Sequence, residues 1–299
     1  MTFDAHVHFF GREFYAFQTT LISREDPETV LGRIRAGGVE IPGPDAKAHA
    51  SRWIAELDRN LVDRAVIFAS SPTEMKTVGE VVAGYPRRLC AYTVVNPKAP
   101  ATLETLEALQ PKLHFKGILM FPALHEYAIH SPEAARAIGI AKQHHLVVFV
   151  HCGKLRVNVR KLIGLNADFP AEKSRPRDLI PIARANPDVR FVVPHFGSGW
   201  FEETMALGAT CPNVYVDTAG SNAWILEHDP PLSLAEVFQR TRAAFGIERI
   251  LFGSDSGGFP RGYRADVLKA QKDTMRAAGF TDDDQRAVLG ANLAQLLEV

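Results

Sequence analysis

His6 and His8 lie two residues apart in Thr-Phe-Asp-Ala-His-Val-His, and in an extended segment that spacing sends both imidazoles to one face. Two nitrogens on one face are half of a metal site. Three later apolar runs each lead into a further ligand type: Val147-Val148-Phe149-Val150 into His151, Phe191-Val192-Val193-Pro194 into His195, and Ile250-Leu251-Phe252-Gly253-Ser254 into Asp255. Polar residues that each follow a buried strand point to one shared mouth. His6, His8, His151 and Asp255 together offer three neutral nitrogens and one carboxylate. That donor set suits Zn²⁺ first, with Mn²⁺, Co²⁺ or Fe²⁺ after it, and leaves a position for water. With the protein's share of a one-metal site filled, His195 is expected to act as an acid or base beside the ion, sharing proton transfer with Asp255.

Such convergence needs a scaffold whose strand ends meet. Short β-branched runs alternate with longer amphipathic stretches, predicting strands at the first segment and at 64–68, 89–95, 115–121, 146–150, 189–194, 214–217 and 250–252. Near-continuous apolar strands separated by helices read as a parallel sheet covered on its outer face. Eight strand-helix units within 299 residues predict a single α/β domain, residues 1–299, folded as a (β/α)₈ TIM barrel, with an open doubly wound sheet as the alternative. Helix starts fit this parse at Ser131-Pro132-Glu133 and at Thr281-Asp282-Asp283-Asp284, where a cap, a preset first turn or a favourable dipole charge coincide. Two connections are too long for simple turns, Phe9 to Pro44 after strand one and Cys152 to Arg175 after strand five, and both are candidate lids. The first should hold a short helix from Pro27, capped by Asp26 and stopped at Gly37-Gly38.

Composition removes other classes. Hydrophobic residues make up 46% and charged residues 23%, and Lys+Arg and Asp+Glu both total 34, so neither nucleic acid nor an anionic membrane is an expected partner. A small molecule is. The strand-like start leaves no room for a secretory leader, and no apolar stretch approaches the roughly 20 residues that span a bilayer. Cys90, Cys152 and Cys211 are odd in number and scattered, which excludes cysteine zinc sites and predicts a reduced, cytoplasmic setting. A homo-oligomer is compatible with all of this.

Asp-Ala-His-Val-His at the start, Val-His-Cys-Gly at 150, Pro-His-Phe-Gly at 194 and Phe-Gly-Ser-Asp at 252 resemble the amidohydrolase superfamily, in particular its amidohydrolase 2 branch. The likeness runs on to Leu289-Gly290-Ala291-Asn292. That branch contains aminocarboxymuconate semialdehyde decarboxylase, resorcylate-type decarboxylases and sugar or dicarboxylate lactonases. The resemblance implies metal ligation by His6, His8, His151 and Asp255 and proton transfer by His195. Binuclear relatives place a carboxylated lysine at the C-terminal end of strand four. Here Lys116 stands near the start of that strand, where it should point too low to bridge a second ion.

The expected reaction is metal-assisted hydrolysis of a lactone, ester or amide, with non-oxidative decarboxylation as the alternative. Arg156, Arg160, Arg175, Arg261 and Arg264 lie in mouth loops, where a guanidinium fork suits a substrate carboxylate. Arg156 and Arg261 are the candidates of choice, with Phe121 and Trp200 as apolar substrate surface. Tyr15, Phe201 and Phe259 could also cover a planar ligand, His125 and His130 could touch substrate, and Asp4, Asp217 and Asn292 are candidate tethers behind the ligands.

Overall fold

A computed structural model describes residues 1–22, 24–220, 225, 228 and 230–299. Strands β1 (Phe3–His8), β2 (Arg64–Ala69), β3 (Leu89–Val95), β4 (Gly117–Met120) and β5 (Val147–Val150) pair in sequence order, all parallel. A small antiparallel pair, β6 (Leu155–Arg156) and β7 (Asp168–Phe169), projects from the loop after β5. The main sheet resumes with β8 (Phe191–Val193), β9 (Val214–Asp217), β10 (Ile250–Leu251) and β11 (Ser256–Gly257), in the order β10-β9-β8-β5-β4-β3-β2-β1-β11.

Among the described residues the sheet thus has nine strands where the sequence predicts eight. The extra strand arises because the last pass breaks in two: β10 pairs with β9, while β11 pairs with β1. Asp255 sits in the break with φ 56°, and a left-handed residue cannot continue an extended strand. Across the break, Ala5 N–H donates to the Phe252 carbonyl at 2.8 Å and Asp255 N–H to the His6 carbonyl at 3.1 Å, tying the last pass to β1.

Helices follow the strands and cover the outer face, among them Ala46–Arg59, Met75–Gly84, Pro100–Leu113, Pro132–Gln143 and Pro176–Ala185. Their apolar sides and the outward strand residues Ile67, Ala91, Ile118, Val148 and Val216 form one continuous buried cluster. The alternate residues, Val66, Phe68, Tyr92, Leu119, Phe149 and Val192, form a second cluster inside the sheet, to which Leu293 and Leu297 of the last helix add. The predicted caps are present: Asp26 accepts from Thr29 N–H at 2.9 Å, Ser131 from Ala134 N–H at 3.2 Å and Thr281 from Asp284 N–H at 3.1 Å.

The two long connections are folded. After β1 come helices Arg12–Thr20 and Pro27–Ala36; after β5 come the β6–β7 pair and helix Asn158–Leu162. They form one layer, in which Phe14, Tyr15, Val30, Leu31 and Ile34 share a buried cluster with Ile163, flanked by Val159 and Leu165. Tyr15, Phe201 and Phe259 are buried in packing, the commoner fate of such rings.

Candidate metal centre

Strict alternation along β1 would set Phe3 and Ala5 on the face opposite His6 and His8. Yet Phe3 and Ala5 belong to the inner cluster, and both imidazoles also meet the inner Phe68, at centroid distances of 4.6 and 5.4 Å. A register shift between Asp4 and Val7 in the pairing with β2 reconciles the two. Asp4 helps hold this irregular stretch. Its fully buried carboxylate accepts from His6 N–H at 2.9 Å, Ser254 N–H at 3.1 Å and the Tyr263 hydroxyl at 2.9 Å. Burial pushes it up to about 6.

His6, His8 and Asp255 come together so that one ligand atom of each lies within 4.8 Å of the others. Asp255 Oδ1 is 3.6 Å from His6 Nε2 and 3.5 Å from His8 Nε2. His195 and His151 join beside them, with centroids 4.9 Å from His6 to His195 and 5.1 Å from His195 to His151. His151 lies outside the 4.8 Å grouping. His195 has φ 58° and Asp255 φ 56°, so two site residues hold backbone conformations that L-residues enter at a cost of about 1–2 kcal/mol each.

Partners behind the rings decide which nitrogen faces forward. His6 Nδ1 bonds Asp217 Oδ2 at 2.8 Å, and His195 Nδ1 bonds the Ala219 carbonyl at 2.8 Å. An ionised carboxylate and a carbonyl only accept, so both Nδ1 atoms carry the proton, and in the neutral rings both Nε2 atoms keep a lone pair. His8 Nδ1 meets Ser70 Oγ at 2.8 Å. The other oxygen of Asp217 takes the N–H groups of His195 and Ala219, each at 2.9 Å. Asp217 therefore does more than tether loops; it orients one imidazole and anchors the backbone of a second.

Charge follows from this arrangement. Burial alone would raise Asp255, but the hydrogen bond from His8 and the positive potential of His6 and His195 hold it well below the usual carboxylate range. Asp217 is likewise held low against its burial by His6 and His195. Burial opposes a charge on His6, yet Asp217, Asp255 and Asp4 raise it overall. Burial, with the neighbouring imidazoles, lowers His8 and pushes His151 well down. His151 Nδ1 is buried with no hydrogen-bond partner.

The loops carrying His151 and His195 are stitched together: Lys154 N–H donates to the Ser198 carbonyl at 2.8 Å, and Ser198 Oγ to the Lys154 carbonyl at 2.9 Å. Gly153 makes the approach possible, since a Cβ there would stand 2.3 Å from the Gly197 carbonyl oxygen. Around the mouth, Phe121 stacks on His151 at 5.5 Å. Arg261 donates to the carbonyls of Asp255 and Gly257, each at 3.3 Å, and among the described residues it pairs with no carboxylate. The other arginines each have a partner: Arg156 pairs with Asp168, Arg175 with Glu203 and Arg264 with Asp266, and Arg160 donates to the Asn166 carbonyl. Trp200 Nε1 donates to the Ala171 carbonyl at 3.1 Å, and the Arg175 guanidinium covers its ring.

Of the remaining histidines, His49 is a packed residue bonded to the Phe9 carbonyl at 2.9 Å. His125 lies beside Phe121 and Tyr127, pushed down to about 4 by burial. Lys116 points away from the mouth, as expected, and donates to the Leu297 carbonyl at 3.2 Å. Sequence reading missed Ser70 and the Ala219 carbonyl. A rule that the residue closing each barrel strand faces the mouth would have singled out the stretches next to both.

Residues 3–299 match the model of the family described as amidohydrolase. This chain belongs to the amidohydrolase family. No curated protein is significantly similar to it in sequence. Solved structures share the fold. A 5-carboxyvanillate decarboxylase from Sphingomonas paucimobilis superposes with a TM-score of 0.67 at 13% identity, covering 100% of this chain and 99% of the other. An amidohydrolase from Burkholderia multivorans with bound zinc gives 0.67 at 15%, with coverage of 100% and 99%. A probable 2-pyrone-4,6-dicarboxylic acid hydrolase from Acinetobacter baumannii, with citric acid bound, gives 0.62 at 14%, again covering 100% and 99%. The amidohydrolase centre fits a divalent ion on its own chemistry: inward lone pairs, an ionised carboxylate between two imidazoles and the orphaned nitrogen of His151.

Proposed function

We propose that this amidohydrolase-family chain is a hydrolase using one divalent ion, Zn²⁺ or Mn²⁺, to open a lactone, ester or amide bond in a small carboxylate-bearing substrate. His6, His8, His151 and Asp255 would hold the ion. Bound there, such an ion lowers the pKa of water toward about 7 and polarises a carbonyl.

The chain's own residues supply the proton traffic. Asp255 Oδ1 lies 3.6 and 3.5 Å from the Nε2 atoms of His6 and His8, which sets a carboxylate oxygen where it would accept the proton of the attacking water. His195 keeps Nδ1–H on the Ala219 carbonyl, so Nε2 is free to take a proton and return it to the leaving oxygen or nitrogen. The placement of Asp255 Oδ1 between the imidazoles of His6 and His8 is the observation that carries hydrolysis, because hydrolysis needs a proton acceptor beside the attacking water, whereas His195 could serve as acid in either reaction. Arg261, unpaired with any described carboxylate and hung on the Asp255 carbonyl, would grip the substrate's carboxylate. Phe121 would give its body an apolar wall.

Decarboxylation of an aromatic acid is the second reading. It is favoured by the aromatic ring of Phe121 against His151 and by the decarboxylase from Sphingomonas paucimobilis that shares the fold. Elemental analysis should find about one divalent ion per chain. A panel of lactones, amides and hydroxybenzoates should yield acid without carbon dioxide; carbon dioxide from the hydroxybenzoates alone would replace hydrolysis with the second reading. His195→Ala should retain the ion and lose turnover by about 100-fold or more, and retained turnover would remove His195 from the chemistry.

A further inference from the structure

The opposite end of the barrel carries a second concentration of unusual groups. Arg64 and Cys90 lie at the N-terminal ends of β2 and β3, and Lys116 immediately precedes β4. With Arg87, Lys112 and Leu113 they line a cavity of about 470 Å³. That volume lies within the range of small-molecule sites. The length of β2, about 17 Å, separates it from the metal centre.

The four cations Arg64, Arg87, Lys112 and Lys116 share this cavity with His114 and Val299, and no acidic side chain lines it. Like charges in one concavity repel, and a low-dielectric wall strengthens the effect. Among the described residues, none of the four forms an ion pair with a carboxylate. Arg64 and Lys116 are half-buried, whereas Arg87 and Lys112 are exposed at the rim. The Arg64 guanidinium covers the Phe3 ring at 4.5 Å and reaches Cys90 Sγ at 3.6 Å, while its Nε is buried with no hydrogen-bond partner. The guanidinium is thus held by the ring and the thiol, and among the described residues by no carboxylate. The rest of the wall is largely apolar, with Leu113 and Cys90 as examples.

We propose that this cavity is a second ligand site, which takes an organic dianion with an apolar body, the acid group shared among Arg64, Arg87, Lys112 and Lys116 and the body against Leu113. A phosphate monoester and a dicarboxylate share that chemistry. The metal-loaded full-length protein would be titrated calorimetrically with 1-naphthylphosphonate and, separately, with naphthalene-1,8-dicarboxylate. Saturable binding of at least one probe, weakened by salt, is expected. The double variant Arg87→Gln/Lys112→Gln changes only exposed side chains and should weaken it about tenfold or more at unchanged metal content, as should Arg64→Gln if that variant folds. Failure of both probes to bind, or binding that the double variant leaves intact, would overturn the proposal.

Discussion

His6 and His195 each donate a ring N–H backward to an oxygen that can only accept, and Asp217 serves both residues, one through the ring and one through the backbone. Such support fixes the tautomer and aims the lone pair, and its loss commonly costs 10–100-fold in metal affinity or activity. Asp217→Asn should therefore weaken metal binding by about that factor while leaving the protein folded. Competition of the apo-protein against a chelator of known affinity measures it, and unchanged affinity would mean that His6 is oriented by packing alone. The candidate site residues at 151, 195 and 255 were legible because each follows an apolar run, and those at 6 and 8 through their two-residue spacing. Asp217 was visible only as a tether, although it too closes a strand. The Ala219 carbonyl was beyond reach, since a backbone acceptor leaves no trace in residue identity.

Among the elements, the strand-helix alternation and three helix caps could be read directly, since periodicity and capping are local properties. The division of the last strand could not. It depends on Asp255 taking a left-handed backbone, which its type permits without requiring. Nor does composition reveal that two long connections share a core; Ile163 joins Val30 and Ile34 only after both segments fold. Glu74 performs a comparable task between the loops after β1 and β2. Its buried carboxyl accepts from Gly11 N–H at 2.7 Å and Ser70 N–H at 2.9 Å, and burial pushes it up to about 8. A folded value above the unfolded 4.5 means that the native state binds the proton more tightly. The stability involved is complete below 4.5 and is lost as pH rises toward about 8, with a slope of at most about 1.4 kcal/mol per pH unit. Glu74→Gln, which stays neutral, should flatten that slope in urea unfolding measured from pH 5 to 8. A slope equal to the parent's would show that other groups set it.

For the whole molecule, the proposed centre would also be a stability determinant, because distant strand ends contribute to it and an ion bound only by the folded state adds RT ln(1 + [L]/Kd), about 2.7 kcal/mol at 100 times Kd. Removing the ion should lower the melting temperature, and acid should then act on the apo-protein with a definite sign. His8 and His151 are lowered from 6.5, and Asp217 and Asp255 from 3.8. Each contributes stability that is present above its unfolded value and lost as pH falls through its folded one. His6, raised from 6.5, opposes them, contributing stability below that value which is lost as pH rises. Acidification from pH 6.5 downward sets the losses at His8 and His151 against gains at His6, Asp4 and Glu74, whose folded values lie above their unfolded ones. Below 3.8 only losses remain, so the apo-protein loses stability at the acid end. The metal-loaded protein should lose more over the same interval, since protonating the imidazoles also releases the ion. Thermal melts of both forms at stepped pH would show two curves converging toward acid. Parallel curves would mean that the stabilising ion does not bind through these imidazoles.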